Sequence, residues 1–162
     1  MRAFVFLTLL YIPHGTEAAE RQLSFRHDVL PVISKAGCNS GGCHGALAGK
    51  GGFRLSLNGY DPVTDHYNIT REIRGRRVEF SDPARSLFII KPTAAVRHKG
   101  GKILHEDSMD YQLLVKWIQQ GAPGPSDADP KLKRVDITPS NAQLQKGDSL
   151  QLKVTAHFDN GI

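Results

Sequence analysis

Hydrophobic and polar positions along this chain follow two periods. Over residues 24–36, Phe25, Val29, Val32, Ile33 and Ala36 recur at i, i+4, i+7, i+8 and i+11, one face of a helix. Ser24 stands before the run as an N-cap. Pro31 inside it predicts a kink or a late start, and Gly37 is placed to end it. Phe53, Leu55 and Leu57 then alternate with polar residues, the period of a strand with one buried face. Asn58-Gly59 and Asp61-Pro62 mark turns. Residues 63–77 predict a short helix running into the basic stretch Arg71–Arg77, read as a solvated loop rather than a docking site. Ser81-Asp82-Pro83 opens another helix, with Pro83 suited to its first turn. That helix carries Ala84, Leu87, Phe88 and Lys91, and Pro92 stops it. Ser108 caps a last helix, Met109 to Gln120, whose apolar face is Tyr111, Leu114, Trp117 and Ile118. Trp117 is expected to pack on the first helix near Phe25.

Beyond Gly121 and Pro123 the pattern changes. Residues 124–131 are polar and proline-rich, which reads as a linker. Residues 135–139 and 150–156 alternate as β-strands, joined through a turn at Lys146-Gly147-Asp148. Two strands cannot bury a face on their own, and Asn160-Gly161 is a hairpin dipeptide with no returning strand. The chain therefore reads as part of a longer protein whose further domains are among its partners, or as one cut short by an early stop. The fold class expected is mainly α. A small helical domain with one short extended segment, residues 22–123, precedes a partial all-β module, residues 132–162.

Composition sharpens this picture. Hydrophobic residues make up 40% of the 162 positions, below the usual share, while Gly 16 and Pro 9 signal many turns. A small, loop-rich domain of this kind needs a staple. Residues 1–18 read as a secretory signal peptide: Met1-Arg2, an apolar run from Ala3 to Ile12, a break at Pro13, and small residues at Thr16 and Ala18. The run is too short to span a bilayer, and no later segment is long and apolar enough to do so. The expected location is therefore periplasmic or secreted, with no transmembrane segment. The formal net charge is +5, and Arg2 cancels Glu17, so loss of the signal leaves it unchanged. Such a balance steers acidic partners or anionic surfaces. Nucleic acid is excluded for an exported chain with 7% aromatic residues. Gly49-Lys50-Gly51-Gly52 lacks the order of a phosphate-cradling loop, which excludes nucleotide.

The candidate chemistry lies in Ala36-Gly37-Cys38-Asn39-Ser40-Gly41-Gly42-Cys43-His44-Gly45, which holds both cysteines of the chain. Two thiols in tandem with an adjacent imidazole suit covalent attachment of one haem c, each thiol adding across a vinyl group and His44 serving as proximal iron ligand. The usual spacing is C-x-x-C-H; here four residues separate the cysteines, and Gly41 and Gly42 supply freedom for a longer loop. Two other readings remain open: a disulfide between Cys38 and Cys43, or a zinc site completed from elsewhere. Either would make the chain a non-redox secreted interaction module. Adjacency of histidine is unnecessary for a disulfide, and no second ligand pair supports zinc, so haem is preferred.

A proximal His44 leaves the opposite face of the iron to be filled or open. His98, in a glycine-flanked loop between the last two helices, is the first choice of distal ligand. Met109 is the second, constrained by its place at a helix start, and His105 the third. An open position would mean an enzyme or a gas sensor. Bis-histidine ligation leaves no vacant site and implies electron transfer by a non-enzymatic domain, with no catalytic residue. Arg97, Lys99 and Lys102 are placed to pair with haem propionates. His14, His27, His66 and His157 are expected in solvent.

Several of these stretches together resemble a known family. They are Phe25-x-x-Asp28-Val29-x-Pro31-Val32 through His44-Gly45, Lys50-Gly51-Gly52-Phe53-Arg54-Leu55-Ser56-Leu57, Lys91-Pro92-Thr93, His98-x-Gly100-Gly101-Lys102 and Trp117-Ile118-x-x-Gly121-Ala122. They resemble the N-terminal cytochrome c-like domain of large secreted planctomycete-type proteins, over roughly residues 22–123. The four-residue cysteine gap belongs to that pattern. The resemblance implies thioether sites at Cys38 and Cys43, a proximal His44, and a distal ligand from the His98 loop. Residues 133–162 look like the first strands of a bacterial Ig-like domain. The implied role is redox, with a partner protein that the resemblance does not define.

Overall fold

Ser24 Oγ accepts the amide of His27 at 3.3 Å while the Asp28 carboxylate accepts the amide of Ser24 at 2.7 Å, a reciprocal cap that starts the first helix. In this computed structural model, which describes residues 20–45 and 49–161, the helix opens as a single wide turn, Phe25–Val29, and continues as α1, Leu30–Lys35. Pro31 falls in the first turn of α1, where no amide donor is needed, so the late start expected from it is observed. Gly37 adopts φ +73° and ends the helix. The amide of Cys38 reaches the Ile33 carbonyl at 3.0 Å and that of Gly37 the Ser34 carbonyl at 3.0 Å, a Schellman ending that turns the chain into the cysteine loop.

Three further helices follow: α2, Pro62–Thr70, α3, Leu87–Ile90, and α4, Met109–Gln119. Asp61 and Ser108 cap α2 and α4, accepting the amides of Thr64 and Tyr111. The core gathers where α4 meets the first helix. Trp117 is fully buried, its ring centre 5.7 Å from Phe25, 6.1 Å from His66 and 6.3 Å from Phe88. Its indole N–H donates to the Pro123 carbonyl at 3.0 Å. Val29, Ile33, Leu55, Ile69, Ile89 and Ile118 complete the interior.

The expectation of a mainly α fold ending in an Ig-like sandwich is corrected. Among the described residues the architecture is mixed: four short α-helices, linked by long stretches of turn, and one two-stranded antiparallel sheet. α1 has six residues and α3 four, because Pro31, Pro83 and Pro92 confine each to a turn or two. The sheet pairs β1, Leu132–Thr138, with β2, Lys153–Phe158, and Val135 lies opposite Ala156, Ile137 opposite Val154. Val135, Ile137 and Val154 are 45%, 51% and 62% exposed, so among the described residues no second sheet covers them.

The strand expected over residues 53–57 is absent as well. A single bridge joins Lys50 to Phe53, and Leu57–Gly59 forms a 3-10 turn with Leu57 in solvent. The backbone groups of this segment are taken by side chains and by the cysteine loop instead of a strand partner. Leu55 donates to the His44 carbonyl at 2.8 Å, Asn68 Nδ2 to the Arg54 carbonyl at 3.0 Å, and Ser56 Oγ to Asp65 at 2.7 Å. Residues 124–131, read as a linker, are fastened to the first helix: Asp129 accepts from Ser24 Oγ at 3.0 Å and faces Arg26 at 3.3 Å. The expected signal peptide, residues 1–18, lies outside the described residues.

Candidate functional site

The cysteine loop forms one wall of a cavity of about 580 Å³, within the size range of cofactor sites. Released from α1 by the Schellman turn, the loop closes on itself. The amide of Cys43 donates to Ser40 at 3.0 Å, that of His44 to Cys38 at 2.9 Å, and that of Gly45 to Ser40 at 2.9 Å. Buried Asn39 ties it to α1 through Ser34 Oγ at 2.8 Å, and Lys50 Nζ caps the Gly42 carbonyl at 2.9 Å. Cys38 and Cys43 both line the cavity as free thiols. Burial, with the neighbouring Cys43, pushes the Cys38 thiol up to about 11, so it stays protonated at neutral pH.

His44 and His98 face the same cavity from different segments. His44 Nδ1 lies 2.9 Å from the Phe53 carbonyl, and His98 Nδ1 lies 3.0 Å from the Gly101 carbonyl. A carbonyl only accepts, so each ring donates from Nδ1; a neutral ring held this way keeps its lone pair on Nε2, the form in which imidazole binds a metal. The ring centres are 6.4 Å apart and the planes within 15° of parallel. Two metal–nitrogen bonds of about 2 Å each, plus about 1 Å from each nitrogen to its ring centre, give a span of about 6 Å. The separation of the ring centres matches that span. Burial lowers the His44 pKa, and nearby His98 lowers it further against the opposing Phe53 and Lys50 backbone hydrogen bonds, so His44 is neutral at physiological pH.

Charge on the cavity is one-sided. Lys50, Arg76, Arg77, Lys91, Arg97 and Lys99 line it, and among the described residues no carboxylate does. Leu87, Phe88, Pro92 and Ile103 supply its apolar wall. Lys91 Nζ donates to the Arg97 carbonyl at 3.0 Å and steadies the His98 loop from below. Gly100 gives that loop its closeness: a Cβ there would sit 2.8 Å from His98 Cε1.

Of the residues singled out from sequence, Cys38, Cys43, His44, Arg97, His98 and Lys99 come together here. Lys102 and His105 are exposed and off the wall, and Met109 is 78% exposed at the start of α4, turned away from it. Two histidines expected in solvent are half-buried. His66 donates from Nε2 to the Ala122 carbonyl at 2.9 Å and packs edge-on to Phe25, while His27 packs on Phe158 with ring centres 4.8 Å apart. His157, on β2, pairs with Asp136 at 2.9 Å, and His14 lies outside the described residues. Sequence reasoning missed Arg77. It stands beside exposed Arg76 in the stretch read as solvated, yet is 5% exposed. No local signal separates the two arginines; only the packing of α2 and Phe53 around one of them does.

No family model, characterised protein or solved structure matches this chain. Among the described residues no three His, Cys, Asp or Glu side chains are gathered around one point to bind a metal by protein donors alone. A zinc site at Cys38, Cys43 and His44 therefore has no assembled donor set, whereas a macrocycle that brings its own four nitrogens asks the protein for two. Among the described residues no helix is long and apolar enough to cross a membrane.

Proposed function

We propose that this chain is an exported c-type haem domain that carries single electrons, with a donor set of Cys38 and Cys43 for covalent attachment and His44 and His98 as axial ligands. The observation that carries the proposal is the pair of imidazoles 6.4 Å apart and nearly parallel, each tautomer set by a backbone carbonyl, on a cavity that also bears both free thiols. When bound, the haem supplies a one-electron iron couple. The protein's own residues do the rest. Cys38 and Cys43 would hold the group by thioether links, each S–H adding across one vinyl group with no oxidant needed. His44, whose burial favours the neutral ring, would offer Nε2 without first losing a proton. Arg97 and Lys99 offer cations to the two propionates. With His44 and His98 both holding the iron, the site would favour electron transfer over catalysis.

The remaining cations point to the partner. Two propionates would take two charges, and of the four others on the wall only Arg77, among the described residues, has a carboxylate beside it, Glu72 at 2.8 Å. Lys50, Arg76 and Lys91 are left to meet an acidic redox protein. The exported location fits the same chemistry, since c-type haem is attached outside the cytoplasm.

The test is a reduced-minus-oxidised visible spectrum of the full chain, exported from cells that carry haem-attachment machinery. The sample is then denatured in acid and organic solvent. A sharp α band that stays with the polypeptide is the expected result. A folded, colourless product would refute it, and thiol titration with metal analysis would then decide between a disulfide and a zinc module. His98→Ala is expected to open the iron to added imidazole; an unchanged spectrum would remove His98 as the ligand.

A further inference from the structure

We propose that Arg77 is a positioning residue for His44, acting through Phe53. Its guanidinium is the most enclosed charge on the cavity wall, its side chain 6% exposed. Nη1 donates to the Asn68 carbonyl at the end of α2 at 2.7 Å and faces the Glu72 carboxylate at 2.8 Å. Nη2 donates to the Gly52 carbonyl at 3.3 Å, and the guanidinium carbon lies 4.5 Å above the centre of the Phe53 ring. These contacts hold residues 52 and 53 by backbone and by side chain at once. Phe53 in turn gives His44 two contacts: its carbonyl takes the Nδ1 proton at 2.9 Å and its ring lies 4.7 Å from the imidazole. No strand ladder fixes this segment, since one bridge to Lys50 is all the sheet-like pairing it has. Arg77 supplies the restraint that a neighbouring strand would otherwise give. Its main-chain carbonyl also accepts from Phe88 at 2.9 Å, joining the clamp to the wall beneath the His98 loop.

A planar fork fits this set of partners, and a lysine does not, because one ammonium cannot reach Asn68, Gly52 and the ring face together. Arg77→Lys therefore keeps the charge and loses the clamp. The readout is the His44 tautomer, measured by two-bond 1H–15N spectra on the full chain without haem, beside thermal unfolding. The wild type is expected to hold His44 as the Nδ1–H tautomer. In Arg77→Lys the tautomer ratio is expected to fall about two- to tenfold, the worth of one weakened hydrogen bond. Phe53→Leu, which removes the ring under the guanidinium and keeps the carbonyl, is expected to do the same, and the double variant little more. A folded Arg77→Lys with the wild-type His44 tautomer would overturn the inference, as would effects that simply add. Should Arg77→Lys fail to fold, an unchanged tautomer in Phe53→Leu overturns it alone. A merely structural role would lower the unfolding temperature and leave the tautomer in place. The inference deepens the haem reading, yet the two fail separately: a colourless wild type sinks the haem and leaves this measurement standing.

Discussion

Gly100→Ala offers a direct test of the His98 side of the cavity. The added Cβ would lie 2.8 Å from His98 Cε1 and 3.3 Å from both ring nitrogens, against ordinary contacts of 3.4 Å or more. The gap must open by about 0.6 Å or more, and the loop cannot simply slide. The Gly101 amide is bonded to the His98 carbonyl at 3.1 Å and Lys91 holds the Arg97 carbonyl at 3.0 Å. The ring must therefore swing, and its Nδ1–H bond to Gly101 is what gives way. Losing that bond costs about 0.5–1.5 kcal/mol, or about two- to thirteenfold in the population of the observed rotamer and tautomer. Global stability is expected to change by less than about 0.5 kcal/mol, since Gly100 is exposed. Imidazole 15N spectra of the haem-free chain should show His98 shifting towards a mixture of tautomers while His44 stays as it was. On the haem proposal, a chain loaded with haem should gain a high-spin fraction that added imidazole removes. Unchanged His98 signals would refute the placement of its ring against Gly100.

Three further outcomes follow from the rest of the fold. Trp117→Ala removes a fully buried indole with three ring neighbours and its bond to Pro123, and is expected to cost about 3–5 kcal/mol in urea unfolding, enough to threaten folding altogether; a loss below about 1 kcal/mol would contradict the packing. Burial raises the Asp65 pKa above its ordinary 3.8, against the lowering by bonds from Ser56. The folded chain thus holds this proton more tightly than the unfolded one, and stability should fall as pH rises from about 3.8 through the raised value. Asp65→Asn should flatten that part of the profile in urea midpoints. Cys38, with its thiol at about 11 against an ordinary 9.0, should alkylate near pH 8 about a hundredfold more slowly in the folded than in the urea-unfolded chain; equal rates would show the thiol is not buried.

Several elements that period and capping predict alone are returned by the structure. Ser24 and Ser108 cap the helices expected after them, Pro31 delays α1, Gly37 ends it, and Trp117 meets Phe25. These are local matters: a cap, a missing donor, a left-handed turn and a stripe of apolar side chains act within a few residues of one another. The tandem thiols beside His44 were legible for the same reason.

Contacts remote in sequence decided what remained. Alternation at Phe53, Leu55 and Leu57 promised a strand, but Asp65, Asn68 and the His44 carbonyl took its hydrogen bonds. Period alone cannot tell a strand from an extended segment satisfied by side chains. The hairpin at 132–158 carried the right alternation for a sandwich, yet a sheet's second layer is supplied by chain far away in sequence, and no pattern within two strands supplies it. Residues 76 and 77 are the same amino acid in adjacent places, and burial of one against Phe53 and Asn68 is a property of the packed fold. The match of His44 to His98 rests likewise on two loops, each hydrogen-bonded to its own backbone and brought to one cavity by the core around Trp117. Sequence identified the reactive groups; tertiary packing set their spacing and protonation, because distance and burial exist only once the chain has folded.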